Sequence, residues 1–275
     1  MRFGLDVAQQ RLPWDELVRR VQLAEELGFD GVWGFDHFQP MYGDGPGETF
    51  EAMTYLAALA SVTTRIRLGV LVAGMTYRHP SVYAAQALTV DHASHGRLEM
   101  TFGAAWFDKE HDELGIPFPS TGERFDLLED SLEIATRLFT GEVVDYDGKR
   151  VSLHHAQLRP PPVQRPHPPI WIGGSGPRRT LPLVAKYADV WHSFGTPNSM
   201  REAYERIDKL ATEAGRDPSS ILRAGSISLD DTETSRKHAG KWRDAGYGYL
   251  VCGWPGAGDK QVEAFARDVM PEFTP

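Results

Sequence analysis

Cysteine is almost missing from this chain: Cys252 is the only one among 275 residues. A single cysteine excludes a disulfide framework and a thiolate metal cluster, and inside its apolar run Cys252 reads as a small core residue. Long hydrophobic runs are missing as well. None approaches the ~18 apolar residues of a membrane-spanning helix, and the opening MRFGLDVAQQ lacks the apolar segment of a signal peptide. A cytoplasmic protein with no membrane partner is the expectation. Positive charge is in deficit, 29 Lys and Arg against 38 Asp and Glu for a net charge of −9, which argues against nucleic-acid binding. The expected partner is a small molecule. No Gly-x-Gly-x-x-Gly follows the first apolar run, which disfavours a dinucleotide-binding start.

What is present is an alternation. Arg2 to Val7 reads as a strand, followed by a helix with apolar Leu17, Val18, Val21, Leu23, Ala24 and Leu27 that stops at Gly28. Further strand-like runs cover Gly31 to Phe35, Ile66 to Val72, Arg97 to Phe102, Pro169 to Ile172, Asp189 to Phe194, Ile221 to Ser228 and Tyr249 to Cys252. Helical stretches near Thr49 to Ser61 and Pro80 to Thr89 fall between the early ones. Eight βα units predict a parallel sheet with right-handed crossovers, closed into a single (β/α)8 TIM barrel over residues 1–275. One stretch breaks the rhythm: Asp147-Gly148 between the runs Val143 to Tyr146 and Val151 to Leu153 predicts a β-hairpin inserted between units four and five. The proline-rich run Arg159 to Pro169 reads as a rigid connector into the next strand.

The barrel expectation sorts the ionisable residues, because such barrels carry their chemistry at the C-terminal strand ends. His92 and His95, beside Asp91, precede strand four and fall on the opposite, stabilising face, so no metal site is expected. Val32 to Phe35 ends abruptly in Asp36 and His37, an acid and an imidazole at a strand tip, the first candidates for catalysis. His111 and His192 can converge on the same pocket. Ile170-Trp171-Ile172 leads through Gly173-Gly174-Ser175-Gly176 into a helix; glycines let backbone N–H groups approach an anion and the helix start adds partial positive charge, so a phosphate fits there. Arg178 and Arg179 follow. The strand ending Val70-Leu71-Val72-Ala73-Gly74 has no ionisable group and makes a smooth wall for a flat ring. Ala104 and Ala105, then Trp106 and Phe107, read as room for a ligand and then a hydrophobic lid. Glu110 and Asp112, too close together for a glycosidase pair, read as acids of an exposed loop.

With Asp36-His37-Phe38, Arg97-Leu98-Glu99, Gly115 to Pro119 with Glu123-Arg124-Phe125, and Ile172 to Gly176 in this order, the chain resembles the bacterial luciferase-like superfamily, and within it the coenzyme F420-dependent oxidoreductases. The resemblance implies that Asp36 and His37 lie beside the deazaflavin with His37 as the proton donor or acceptor. It implies that Val70, Leu71, Val72, Ala73 and Gly74 back the ring, with a non-proline cis peptide at Leu71-Val72. Ala105 belongs to the same cofactor set, and Gly173, Gly174, Ser175 and Gly176 hold the phosphate. Sugar-phosphate dehydrogenases of this branch carry a glutamate where Trp106 stands and an early acid where Gln9-Gln10 stands. Their absence predicts an apolar substrate pocket lined by Trp106, Phe107 and His192, with Met41 and Tyr42 nearby, suited to C=C or C=N reduction. Family likeness also implies a homodimer. An FMN-dependent monooxygenase and a non-catalytic flavin-binding barrel are the alternatives.

Overall fold

The computed structural model describes residues 1–229 and 231–274. In chain order its strands are β1 (Arg2–Asp6), β2 (Gly31–Gly34), β3 (Arg67–Val70), β4 (Met100–Phe102), β5 (Val144–Asp147), β6 (Ser152–Ala156), β7 (Ile170–Gly173), β8 (Val190–His192), β9 (Leu222–Ser228) and β10 (Tyr249–Gly253). The helices are α1 (Trp14–Glu26), α2 (Ala52–Val62), α3 (Pro80–Ala93), α4 (Asp108–Leu114), α5 (Thr121–Leu138), α6 (Thr180–Tyr187), α7 (Arg201–Glu213), α8 (Thr232–Asp244) and α9 (Asp259–Asp268). Eight strands pair in the order β3-β2-β1-β10-β9-β8-β7-β4, every pair parallel. Parallel bridges Leu68 to Leu98 and Gly74 to Gly103 join the two ends. This is the expected (β/α)8 barrel.

Two cores follow from strand alternation. Outward side chains meet the helices in the large core, where α1 buries Leu17, Val21 and Ala24. Inward side chains fill the barrel: Trp33, Trp171, Tyr249, Val190, Ala224 and Val251 form a separate cluster. The Trp33 indole donates to the Tyr249 hydroxyl at 3.1 Å, and Trp171 donates to Glu99 at 2.6 Å. These bulky rings plug the lower barrel, so only its C-terminal end stays open.

Local sequence sets the element ends. Gly28 leaves α1 at φ +88°, the left-handed exit expected of it, and Ser120 with Glu123 forms a reciprocal capping box at the start of α5. On the N-terminal face Arg97 donates to the carbonyls of Ala60, Thr63, Ile66 and Ser94. His92 donates its Nε2–H to the Pro161 carbonyl, 3.0 Å away, in keeping with a stabilising role there. The apolar run Ile66 to Val72 overshoots the strand, which stops at Val70; the Leu71-Val72 peptide that follows is cis. Arg97 to Glu99 likewise pair with β3 at one isolated bridge, beside the Arg67–Glu99 ion pair, leaving Met100–Phe102 as β4.

The hairpin β5–β6 is antiparallel and lies between β4 and β7, as expected. Its turn is longer than two residues, since Asp147 pairs with Ser152. The buried Asp130 carboxylate of α5 holds that turn, accepting from the N–H groups of Lys149, Arg150 and Val151 and from the Tyr146 hydroxyl.

Candidate active site

Asp36 and His37 leave β2 at the open end of the barrel. The buried Asp36 accepts both guanidinium nitrogens of Arg78, at 2.6 and 2.8 Å, and the Gly74 N–H at 2.8 Å. Arg78 also reaches Glu51 at 2.9 Å. Asp36 thus ties β2 to the segment after β3 while lining the cavity beside His37.

His37 is oriented by a residue read from sequence as a loop acid. Glu110 lies in α4 and is completely buried. It takes the His37 Nδ1–H at 3.0 Å, the Tyr77 hydroxyl at 2.6 Å, the Gln39 N–H at 2.7 Å, and the Phe38 N–H. Burial pushes the Glu110 carboxyl up, but hydrogen bonds from His37, Tyr77 and Phe38 outweigh it and hold the group below the ordinary carboxylate range. An ionised acceptor on Nδ1 fixes the His37 tautomer and leaves Nε2 to meet a ligand, where it can accept or, once protonated, deliver a proton. The ring is enclosed by Phe35, Tyr77, Trp106 and Phe107, with centroids 5.6 to 6.2 Å away.

Beside His37 opens a cavity of about 230 Å³. Its wall is Leu71, Val72 and Gly74 on one side and Gly103, Ala104 and Ala105 on the next, continuing to Gly173 and Gly174. Val72 approaches so closely that a Cβ on Gly103 would stand 2.5 Å from its Cγ2. Small residues are what keep this slot open. Asp36 and His37 also line it, with the buried His192 and the exposed Trp106 and Phe194. Trp106 and Phe194 are respectively 66% and 70% exposed beside the slot. His192 shares a hydrogen bond with Ser226 at 2.9 Å, and burial pulls its imidazole down to about 4, so it is neutral. A larger groove of about 760 Å³ begins at Gly195 and runs to α8, bordered by Arg201, His238 and Lys241.

The structure brings together Asp36, His37, Leu71, Val72, Gly74, Ala105, Trp106, Gly173, Gly174 and His192 around one cavity. Ser175 and Gly176 are exposed, in the turn that follows Gly174 and precedes α6, and do not line the cavity. Val70 and Ala73 depart from expectation: both side chains are buried in the outer core, Val70 by strand alternation and Ala73 beyond the end of β3 and the cis peptide. Phe107 supports Trp106, 5.3 Å away, and does not line the cavity. His111 stacks behind Tyr77 at 4.5 Å and bonds to Thr76 and the Phe107 carbonyl, so it does not converge with the other two histidines. Arg179 is committed to Asp126, and Tyr42 lines a neighbouring cavity. Glu110, Tyr77, Arg78 and Phe194 are the residues that sequence reasoning missed. Among the described residues no group of three His, Cys, Asp or Glu side chains is arranged to hold a metal ion, and no helix is long and apolar enough to cross a membrane.

The slot suits a planar ring system: it is narrow, lined by small residues, flanked by an oriented imidazole, and it leads to a glycine turn at a helix start. The family model described as luciferase-like monooxygenase matches residues 1–247. An F420-dependent glucose-6-phosphate dehydrogenase of Microbacterium testaceum is 36% identical over 245 residues, covering 89% of this chain and 65% of that protein. This chain therefore spans somewhat less than two thirds of that relative. Among solved structures, an F420-dependent secondary alcohol dehydrogenase in complex with an F420-acetone adduct superposes with a TM-score of 0.89 at 19% identity, covering 100% and 99% of the two chains. The coenzyme F420-dependent tetrahydromethanopterin reductase of Methanopyrus kandleri gives 0.86 at 19% identity, covering 99% of each.

Proposed function

The chain belongs to the luciferase-like monooxygenase family, and from that premise we propose that it is a cytoplasmic oxidoreductase that binds coenzyme F420 in the slot beside His37. When bound, the deazaflavin supplies the hydride chemistry; the protein orients it, excludes water and moves a proton. Val72, Gly74, Gly103 and Ala105 give the ring its wall, and the turn Gly173 to Gly176 with the start of α6 takes the phosphate. His37 Nε2 serves as acid toward the substrate in reduction and as base in oxidation, with Glu110 stabilising the imidazolium.

The substrate we propose is small, largely apolar and conjugated, with reduction of a C=C or C=N bond as the favoured direction. The observation that carries this is the rim: Trp106 and Phe194 project into solvent over a slot that no lysine or arginine lines among the described residues. A sugar phosphate would leave its charge unpaired there. Gln9 supports the same reading, since its buried amide is consumed by the N–H and carbonyl of Phe35. A homodimer would cover the apolar strip between α2 and α3, where Val82 is half exposed and Ser81 and Gln86 have unpartnered polar atoms.

Oxidation of F420H2, followed by the return of the deazaflavin absorbance, tests the reading against a panel of enones and imines. The wild type is expected to consume F420H2 only when a panel member is present. His37→Ala is expected to bind F420 normally and to turn over about 100- to 10,000-fold more slowly. Turnover of His37→Ala at the wild-type rate would remove His37 from the chemistry.

A further inference from the structure

Both oxygens of the Glu110 carboxylate are shared. Oε1 accepts the N–H groups of Phe38 and Gln39, the latter at 2.7 Å. Oε2 accepts two side-chain donors at once, the His37 Nδ1–H at 3.0 Å and the Tyr77 hydroxyl at 2.6 Å. The phenol oxygen stands 3.3 Å from His37 Nδ1, so imidazole, phenol and one carboxylate oxygen form a compact triangle. Tyr77 lies between β3 and α3 and itself lines the slot. Its ring is held by His111, stacked on it at 4.5 Å, and by Phe38, edge-on at 5.2 Å. The aim of the hydroxyl is therefore set before any ligand arrives.

This triangle weakens the carboxylate as a partner for a protonated imidazole. A short phenol hydrogen bond to an ionised oxygen is charge-assisted and draws negative charge away from it. Glu110 is completely buried, so these four donors are what its charge meets. The direct action of the phenol on the imidazole largely cancels, because its oxygen attracts an imidazolium and its hydroxyl proton repels one. What remains is the charge that Oε2 has given up.

The other charges around His37 are balanced before they reach it. Asp36, the preceding residue, pairs with Arg78 at 2.6 Å, and Arg78 with Glu51 at 2.9 Å. On α4, Asp108 and Asp112 are exposed and Lys109 pairs with Glu113 at 3.6 Å. His111 is tied to the Thr76 hydroxyl and the Phe107 carbonyl, each at 2.7 Å. Across the slot, His192 is neutral. The charge on Glu110 is thus the one that governs how firmly His37 holds a proton.

We propose that Tyr77 is a positioning residue that tunes this pair, resting on the reading of His37 as the proton-transfer group. By taking part of the charge of Oε2 it leaves His37 able to release a proton as readily as to accept one, so that a single imidazole serves reduction and oxidation. Without the hydroxyl the carboxylate grips the imidazolium harder, and the ring keeps its proton to higher pH.

Tyr77→Phe tests this with little disturbance, since the ring that lines the slot stays and Glu110 keeps His37 and both backbone donors. Imidazole nitrogen NMR of the cofactor-free protein, with His37→Ala to assign the signal, reads the ring directly. Tyr77→Phe is expected to move the His37 titration to higher pH, and to move it much less in a Glu110→Gln background. An unmoved or lowered titration overturns the proposal. So does an equal shift in the Glu110→Gln background, because the phenol would then act without the carboxylate. With F420H2 and the best enone or imine of the panel, the alkaline limb of the rate profile should move the same way. Tyr77→Phe should there be about two- to fivefold faster than the wild type, and no faster on the acid side; superimposable profiles overturn the role. Failure of the wild type to bind F420 removes the cofactor reading, and the NMR titrations still decide for or against Tyr77.

Discussion

At the scale of single residues, the site depends on carboxylates whose surroundings give them different duties. Asp36 is an anchor and Glu110 orients an imidazole. Glu110 can be tested through stability. Its folded-state value lies below the ordinary 4.5, so it contributes stability at pH above 4.5 and loses it as the pH falls through the folded value. Glu110→Gln is therefore expected to destabilise the protein by about 1–3 kcal/mol at pH 7, one misdirected buried hydrogen bond. Denaturant titrations should show that difference shrinking below pH 4.5; a constant difference would mean that charge plays no part. His37 was legible because a strand ends in Asp-His. Glu110 was not: Asp108 to Leu114 is polar all round, which reads as solvent-exposed, and only the placement of α4 across the barrel mouth buries it.

At the scale of elements, the ends of strands were less legible than their existence. Apolar runs announced all eight barrel strands, yet β3 stops at Val70 and β4 begins only at Met100. Hydrophobicity continues into the cavity wall and the barrel floor, so composition alone cannot mark where pairing stops. The hairpin was announced by Asp147-Gly148, but its fastening to α5 was not, because it rests on a buried aspartate 17 positions upstream of Asp147 that nothing in the local pattern singles out. Asp130 accepts three backbone N–H groups of the turn. Asp130→Ala is expected to speed hydrogen exchange at residues 144–156 while leaving that of β7 and β8 unchanged. Equal acceleration across the barrel would show that the hairpin is integral to the global fold.

At the scale of the whole molecule, βα alternation made the barrel legible and the C-terminal rule located the open end. Which side chains meet across it depends on shear and on loop packing, and those separated His37 and His192 from His111. The apolar strip of α2 and α3 predicts association: light scattering is expected to give twice the chain mass, and Val82→Glu to halve it. A monomeric wild type would remove that surface from the account. The central claim is that the slot between Val72 and His37 holds a deazaflavin. Parallel equilibrium titrations of the purified protein with F420 and with FMN test it most directly. Saturable F420 binding, at least tenfold tighter than FMN and weakened by closing the slot at Gly103, is the predicted result; FMN binding tighter than F420 would contradict it.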